Sequence, residues 1–150
     1  MLQQLKYLFI FFTTILIFSA CEEDKFADWK ILNDKWLEEH ADDEGFNKTE
    51  SGIFYKVIHQ STYHRPNPGS VVIVDYKGEL IDGTKFDSGT YSNYLYEAIA
   101  GWQEGLRLMR DGSRFIFYIP ANLAYGKDGQ GKVPPNSVLK FDITLVRSFD

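Results

Sequence analysis

At 150 residues, 44% hydrophobic and 25% charged, the chain is long enough for one domain with a sizeable core and a small appendage. Its formal net charge of −5 and its lack of a Lys/Arg cluster exclude nucleic acid as a partner, because phosphate backbones are held by a basic footprint. Aromatic residues make up 16%, with nine tyrosines and twelve phenylalanines, which favours a β-rich domain with an apolar, stackable cavity over a helical bundle.

The beginning of the chain differs in kind from the rest. Lys6 precedes an apolar run from Tyr7 to Phe18, broken only by Thr13 and Thr14, and the small residues Ser19 and Ala20 stand before Cys21. A basic start, an apolar middle and a small-residue cleavage site predict a secretory signal over residues 1–20, too short for a membrane span. The sole cysteine, directly after that site, resembles the lipobox of bacterial lipoproteins, although Phe18 stands where leucine is usual. The resemblance implies that Cys21 is lipidated and becomes the mature N-terminus. The chain would then be held at the cell envelope, on the periplasmic side or in the outer membrane. An ordinary signal followed by a free thiol is the plainer alternative. One cysteine allows no internal disulfide, so the mature fold must rest on its core. Loss of residues 1–20 removes Lys6 and no acid, so the mature protein is repelled by anionic lipid and the acyl chains serve as its anchor.

Residues 21–51 read as anchor, acidic linker and short amphipathic helix, and residues 52–150 as the main domain. Phe26, Trp29, Leu32, Trp36 and Leu37 recur at helical spacing and predict a helix from about 24 to 40, with Asp24 and Asp28 early and Lys35 late, as the helix dipole favours. Fewer than three heptads is short for a coiled coil, so the stripe is expected to dock on the domain and the protein to be a monomer. Ile53–Ile58 is β-branched and aromatic and predicts a strand, and residues 59–69, with Pro66 and Pro68, predict a loop. Ser70–Leu80 alternates, with Val72, Val74 and Tyr76 on one face. Asp82-Gly83 signals a tight turn and Lys85-Phe86-Asp87 a returning strand, whereas residues 88–94 show no clear period. Trp102, Leu106 and Met109 predict a helix of about two turns ending near Gly112. Arg114–Ile119 alternates around Phe115, Phe117 and Ile119, and Pro120 stops it. A helical turn at residues 122–126 and an exposed loop at 127–136 precede a last strand, Val138–Val146, with Leu139, Phe141, Ile143 and Leu145 inward. The expected fold class is α+β: a twisted antiparallel sheet of four to five strands wrapped around one short helix, with an N-terminal helical extension.

Familiar chemistries fail by inventory. His40, His59 and His64 have no paired cysteines or HExxH spacing, so no metal is expected. Nucleophile elbows, phosphate loops and dinucleotide fingerprints are absent as well, and no cofactor is expected. Any catalysis should therefore rest on shape and an apolar environment.

Five stretches then carry a resemblance. They are Val72–Gly78, Asp82–Ser88, Ile99–Leu106, Ile119–Gly126 and Val133–Asp142. In that order they resemble the FKBP-type peptidyl-prolyl isomerases, and the resemblance covers about residues 52–149. Ser51–Val57 also resembles the strand that enters the domain in bacterial members with an N-terminal helical extension. The resemblance implies a pocket lined by Tyr76, Phe86, Asp87, Ile99, Trp102, Tyr125, Val133 and Phe141. Trp102 would be its floor and Tyr76, Phe86 and Phe141 its walls, while the Ile99 N–H and the Tyr125 hydroxyl would hold substrate carbonyls. Tyr76, Phe86, Asp87, Trp102, Tyr125 and Phe141 are the implied catalytic set, and Ile99 and Val133 bind substrate. The implied partners are Pro-containing polypeptides, with the membrane reached through the lipid anchor. Ala98, Ala100 and Lys132 depart from the family's usual residues, and Ser92 stands near where an arginine partner for Asp87 is usual. The implied activity is prolyl isomerisation in the folding of exported proteins. A non-catalytic chaperone or binding module using the same groove is the alternative.

Overall fold

The computed structural model describes residues 23–150. The signal over residues 1–20 and the lipidation at Cys21 lie outside the described residues, as does the side chain of Phe26. In chain order the elements are α1 (Glu23–Glu39), β1 (Asn47–Lys48), β2 (Phe54–His59), β3 (Val71–Leu80), β4 (Lys85–Tyr94), α2 (Ala100–Gly105), β5 (Arg114–Ile119) and β6 (Leu139–Phe149). Single 3-10 turns lie at Leu95–Glu97, Leu106–Leu108 and Ala121–Leu123.

The six strands form one antiparallel sheet in the order β1-β2-β5-β6-β3-β4. The strand beyond the expected four to five is the two-residue β1. The alternation read from sequence sets the buried face: Phe115, Phe117 and Ile119 of β5, Leu139, Phe141, Ile143 and Leu145 of β6, and Val72 and Val74 of β3 are all buried. They share one core with Trp102, Leu106 and Met109 from the α2 region.

α2 lies almost against the sheet because two of its residues lack side chains. A Cβ on Gly101 would stand 2.4 Å from Cγ2 of Ile119, and one on Gly105 would stand 2.9 Å from Cε1 of Phe117. The helix is shorter than expected. After the 3-10 turn at Leu106–Leu108 the backbone becomes extended at Met109 (φ −86°, ψ 169°), which brings the Met109 side chain into the core.

Residues 88–94, which lack a period, are strand: with Lys85-Phe86-Asp87 they form β4 and pair with β3 along its length. β4 is an edge strand whose residues are exposed except for Phe86 and Tyr91, so no alternation of hydrophobic residues marks it. A register shift opposite Gly78 and Glu79 leaves Phe86 as the extra residue of a bulge, which re-aims its ring.

α1 docks with Trp29 and Trp36 of its apolar stripe, but with Asn33 turned inward in place of Leu32. Leu32 is 54% exposed, whereas Asn33 is fully buried. The Asn33 Oδ1 accepts the Val138 backbone N–H at 2.8 Å, and the Trp29 indole N–H donates to the Ser137 hydroxyl at 2.8 Å. Trp36 stacks on Tyr118 of β5, ring centroids 4.6 Å apart. The helix is held by placed polar contacts and one stacked ring, so a count of apolar positions mistakes which residue faces inward. Among the described residues no helix is long and apolar enough to cross a membrane.

Candidate active site

The cavity above α2 is built outward from Trp102. Ile99, the residue before the helix, accepts the N–H groups of Trp102 and Gln103 on its carbonyl at 2.9 and 3.1 Å, which fixes the first turn. Trp102 is thereby pressed under the sheet at 5% exposure. Ring centroids of Tyr76, Phe141 and Tyr91 lie 5.1, 5.3 and 5.4 Å from that of Trp102, with interplanar angles of 79°, 78° and 83°. Phe86 meets Phe141 edge-on at 5.5 Å. Such perpendicular packing is the favoured geometry for aromatic quadrupoles, so the rings hold one another in place.

These rings enclose a cavity of about 290 Å³ lined by Tyr76, Phe86, Asp87, Tyr91, Glu97, Ala98, Ile99, Trp102, Tyr125, Gln130 and Phe141. Seven of the eight residues named from sequence thus meet in one place. Val133 does not line it. It is buried in the core at 5% exposure and exchanges two backbone hydrogen bonds with Gln130, at 2.8 and 2.9 Å. Tyr91, Glu97 and Gln130 join the lining without having been singled out. Tyr91 pairs in register with Val74, a buried residue of β3, and that pairing is visible only once the β4 hairpin is known.

The polar groups are few. The Tyr76 hydroxyl donates to Oδ2 of Asp87 at 2.7 Å, and the Ser88 N–H donates to the other oxygen at 2.8 Å. Asp87 is therefore partnered by a phenol and a backbone amide where an arginine is usual in the family. Burial, then the hydrogen bond to Asp87, push the Tyr76 phenol up to about 12. Burial and then the Asp87 charge raise Tyr125, and burial and then Glu97 raise Tyr91. All three phenols stay protonated as donors at neutral pH. Among the described residues neither the Ile99 N–H nor the Tyr125 hydroxyl takes a hydrogen-bond partner, and the Trp102 indole N–H is buried without one. A cavity with an aromatic floor and walls and with free donors at its edge suits a ligand that presents a compact apolar ring and adjacent carbonyls. Among the described residues no group of three or more His, Cys, Asp or Glu side chains is placed to hold a metal.

Comparison with known proteins gives the same site a family. A model of the FKBP-type peptidyl-prolyl cis-trans isomerase family matches residues 62–146. The chain is 42% identical over 137 residues to a probable FKBP-type isomerase, FkpA, of Neisseria meningitidis, covering 85% of this chain and 50% of that protein. It is 37% identical over 134 residues to the outer membrane protein MIP of Legionella longbeachae, covering 85% of this chain and 58% of that one. The chain thus spans about half the length of these relatives. Its fold matches the crystal structure of FkpA from Escherichia coli with a TM-score of 0.81 and 33% identity, over 97% of this chain and 72% of the other. With the family motifs gathered around one cavity and the matches spanning most of its length, the chain belongs to the FKBP-type peptidyl-prolyl cis-trans isomerase family.

Proposed function

We propose that this protein is a peptidyl-prolyl cis-trans isomerase that assists the folding of exported proteins, with residues 52–150 as its isomerase domain. A lipid on Cys21 tethers it at the cell envelope. The observation that carries the activity is the Trp102 floor walled by Tyr76, Phe86 and Phe141, with unpartnered donors at Ile99 and Tyr125. The signal-like segment ahead of a lone cysteine supports the tether, and the name of the Legionella relative supports an envelope location.

The chemistry follows from the lining. Rotation about a prolyl amide is opposed by roughly 18–20 kcal/mol because resonance gives the bond double character. That resonance separates charge, negative on oxygen and positive on nitrogen, and water stabilises the separation. Twisting the bond abolishes it. A ring-lined cavity withdraws water from the planar amide and so favours the twisted form relative to it. The prolyl ring packs on Trp102, and the walls of Tyr76, Phe86 and Phe141 keep it dry. The Ile99 N–H and the Tyr125 hydroxyl hold the flanking carbonyls, so that the bound chain is oriented for rotation. Asp87 holds the Tyr76 hydroxyl and thereby its ring. Val133 acts from outside the lining by closing the turn that presents Gln130. The reaction needs no nucleophile.

A protease-coupled isomerisation assay on the full chain in detergent, with a proline tetrapeptide, tests the activity. Acceleration above the blank, proportional to protein, is expected. A folded protein that binds the peptide and does not accelerate it makes the groove a binding site only. For the tether, Cys21→Ser is expected to abolish fatty-acid labelling and partition into detergent, and a variant that retains both overturns the anchor.

A further inference from the structure

We propose that the rim of this cavity selects proline segments flanked by a cationic side chain, lysine or arginine, an inference that rests on the isomerase reading of the same site. The charged residues lining the cavity are Asp87 and Glu97, both acidic and both exposed. No lysine or arginine lines it, and among the described residues neither carboxylate enters an ion pair. The Asp87 oxygens are engaged by the Tyr76 hydroxyl and the Ser88 N–H, whereas Glu97 has no hydrogen-bond partner among the described residues.

The Glu97 backbone is well placed. It ends the 3-10 turn Leu95–Glu97, and the Gln103 amide donates to the carbonyls on either side of it, Tyr96 at 3.1 Å and Ala98 at 2.8 Å. Tyr94 and Tyr96, which precede it in sequence, stack on each other at 5.0 Å and do not line the cavity. The unpaired Glu97 carboxylate on the cavity lining offers a cationic side chain a counter-charge, while the aliphatic stem of that side chain can lie along the ring-walled surface. An acidic side chain at the same place meets two like charges. The donors already described hold the peptide backbone; the rim sorts the side chains next to it.

The test uses the full chain in detergent and proline tetrapeptides that differ only in the flanking residue, lysine, leucine or glutamate, placed before the proline in one series and after it in another. Isomerisation and peptide binding are both measured, at low and high salt. In at least one series the lysyl peptide is expected to exceed the glutamyl peptide on the order of fivefold at low salt, the scale of one or two exposed charge pairs, with the advantage collapsing as salt rises. Glu97→Gln is expected to lower that ratio towards Asp87's share, and Glu97→Asp to retain most of it. A flat ratio in both series, or one that Glu97→Gln leaves unchanged, overturns the inference while turnover of the leucyl peptide keeps the isomerase reading. If no peptide is turned over but the lysyl peptide binds more tightly and Glu97→Gln removes the advantage, selection stands and the isomerase reading falls.

Discussion

Gly78→Ala separates the cavity wall from the stability of the sheet. A Cβ at Gly78 would stand 2.6 Å from Cζ and 2.8 Å from Cε2 of Phe86, and 3.1 Å from Cε1 of Phe141. Phe141 is buried in β6 and cannot yield, but Phe86 sits in a bulge of the edge strand and its ring can swing outward. Overpacking usually costs about 1–3 kcal/mol, and replacing a glycine within a strand returns roughly 0.5–1 kcal/mol. The net loss of stability is therefore expected at about 2.5 kcal/mol or less, measurable as a shift of the urea midpoint. The effect on function is larger, because a displaced Phe86 loses its edge contact with Phe141 and admits water to the floor. kcat/KM for a proline peptide is expected to fall at least as far as in Phe86→Ala. Since Gly78→Ala acts through Phe86, it should add almost nothing in the Phe86→Ala background, giving a coupling in the range of about 0.5–3 kcal/mol. Additive losses in the double variant would refute the steric account. So would a Gly78→Ala protein with full activity.

Tyr125→Phe leaves the cavity shape intact and removes one neutral hydrogen bond of about 0.5–1.5 kcal/mol, so kcat/KM is expected to fall about twofold to tenfold, less than in Phe86→Ala. Burial is the first cause that raises the phenols of Tyr76, Tyr91, Tyr118 and Tyr125 in the folded chain, with Tyr76 at about 12. Unfolded tyrosines ionise near about 10, so the unfolded state releases protons first: this contribution to stability is complete below that pH and is lost as pH rises towards and through the folded values. Thermal melts across the alkaline range check the sign, and a stability that rises from about pH 10 upward contradicts it. Asn33→Ala strips the Val138 N–H of its buried acceptor and is expected to cost about 1–3 kcal/mol in urea unfolding, whereas Leu32→Ala, on the exposed side of α1, should cost far less. Equal losses would place the docking face where the apolar stripe alone suggests.

The strands that were legible in the sequence are those with one wet and one dry face. β5 and β6 alternate cleanly because Phe115, Phe117, Leu139, Phe141, Ile143 and Leu145 point into one core while Tyr118, Lys140 and Asp142 stay outside it. β4 escaped the same test because an edge strand beside a cavity buries too little to alternate; Ser88, Thr90 and Ser92 are exposed and Tyr91 is its partly buried aromatic after the bulge. On α1 the periodicity located the helix and its two docked tryptophans but put Leu32 inward where Asn33 is, since Asn33 is buried by a hydrogen bond to a residue 105 positions away. The site divides in the same manner. Tyr76, Phe86, Trp102, Tyr125 and Phe141 belong to motifs that resemble a family, and no period or spacing would have selected them from the other aromatics of the core. Tyr91, Glu97 and Gln130 come from an edge strand, a single 3-10 turn and a loop, and tertiary structure alone brings them to one cavity.

The loop between β5 and β6 links α1 to that cavity. It contributes Tyr125 and Gln130 to the lining, yet it contains no strand or α-helix to hold them. Segments of this kind are positioned only as well as their backbone groups are tied. Its inner ties are local: the Gly129 N–H to the Tyr125 carbonyl at 3.1 Å, the paired bonds between Gln130 and Val133, and the Asn136 N–H to the Gly126 carbonyl at 2.8 Å. Its outer ties come from α1. Trp29 donates to Ser137, whose hydroxyl donates in turn to the Pro134 carbonyl at 2.7 Å, and Asn33 takes the Val138 N–H where the loop enters β6. Asn33 also donates to the Trp29 carbonyl at 2.7 Å, so the two docking residues brace each other on the helix. A buried asparagine would be a liability if α1 merely covered apolar surface. It has a physical reason here, because a fully satisfied polar pair fixes one register of helix against loop where apolar contacts would allow several. The N-terminal helix thus ties down the end of the loop whose earlier residues, Tyr125 and Gln130, line the cavity.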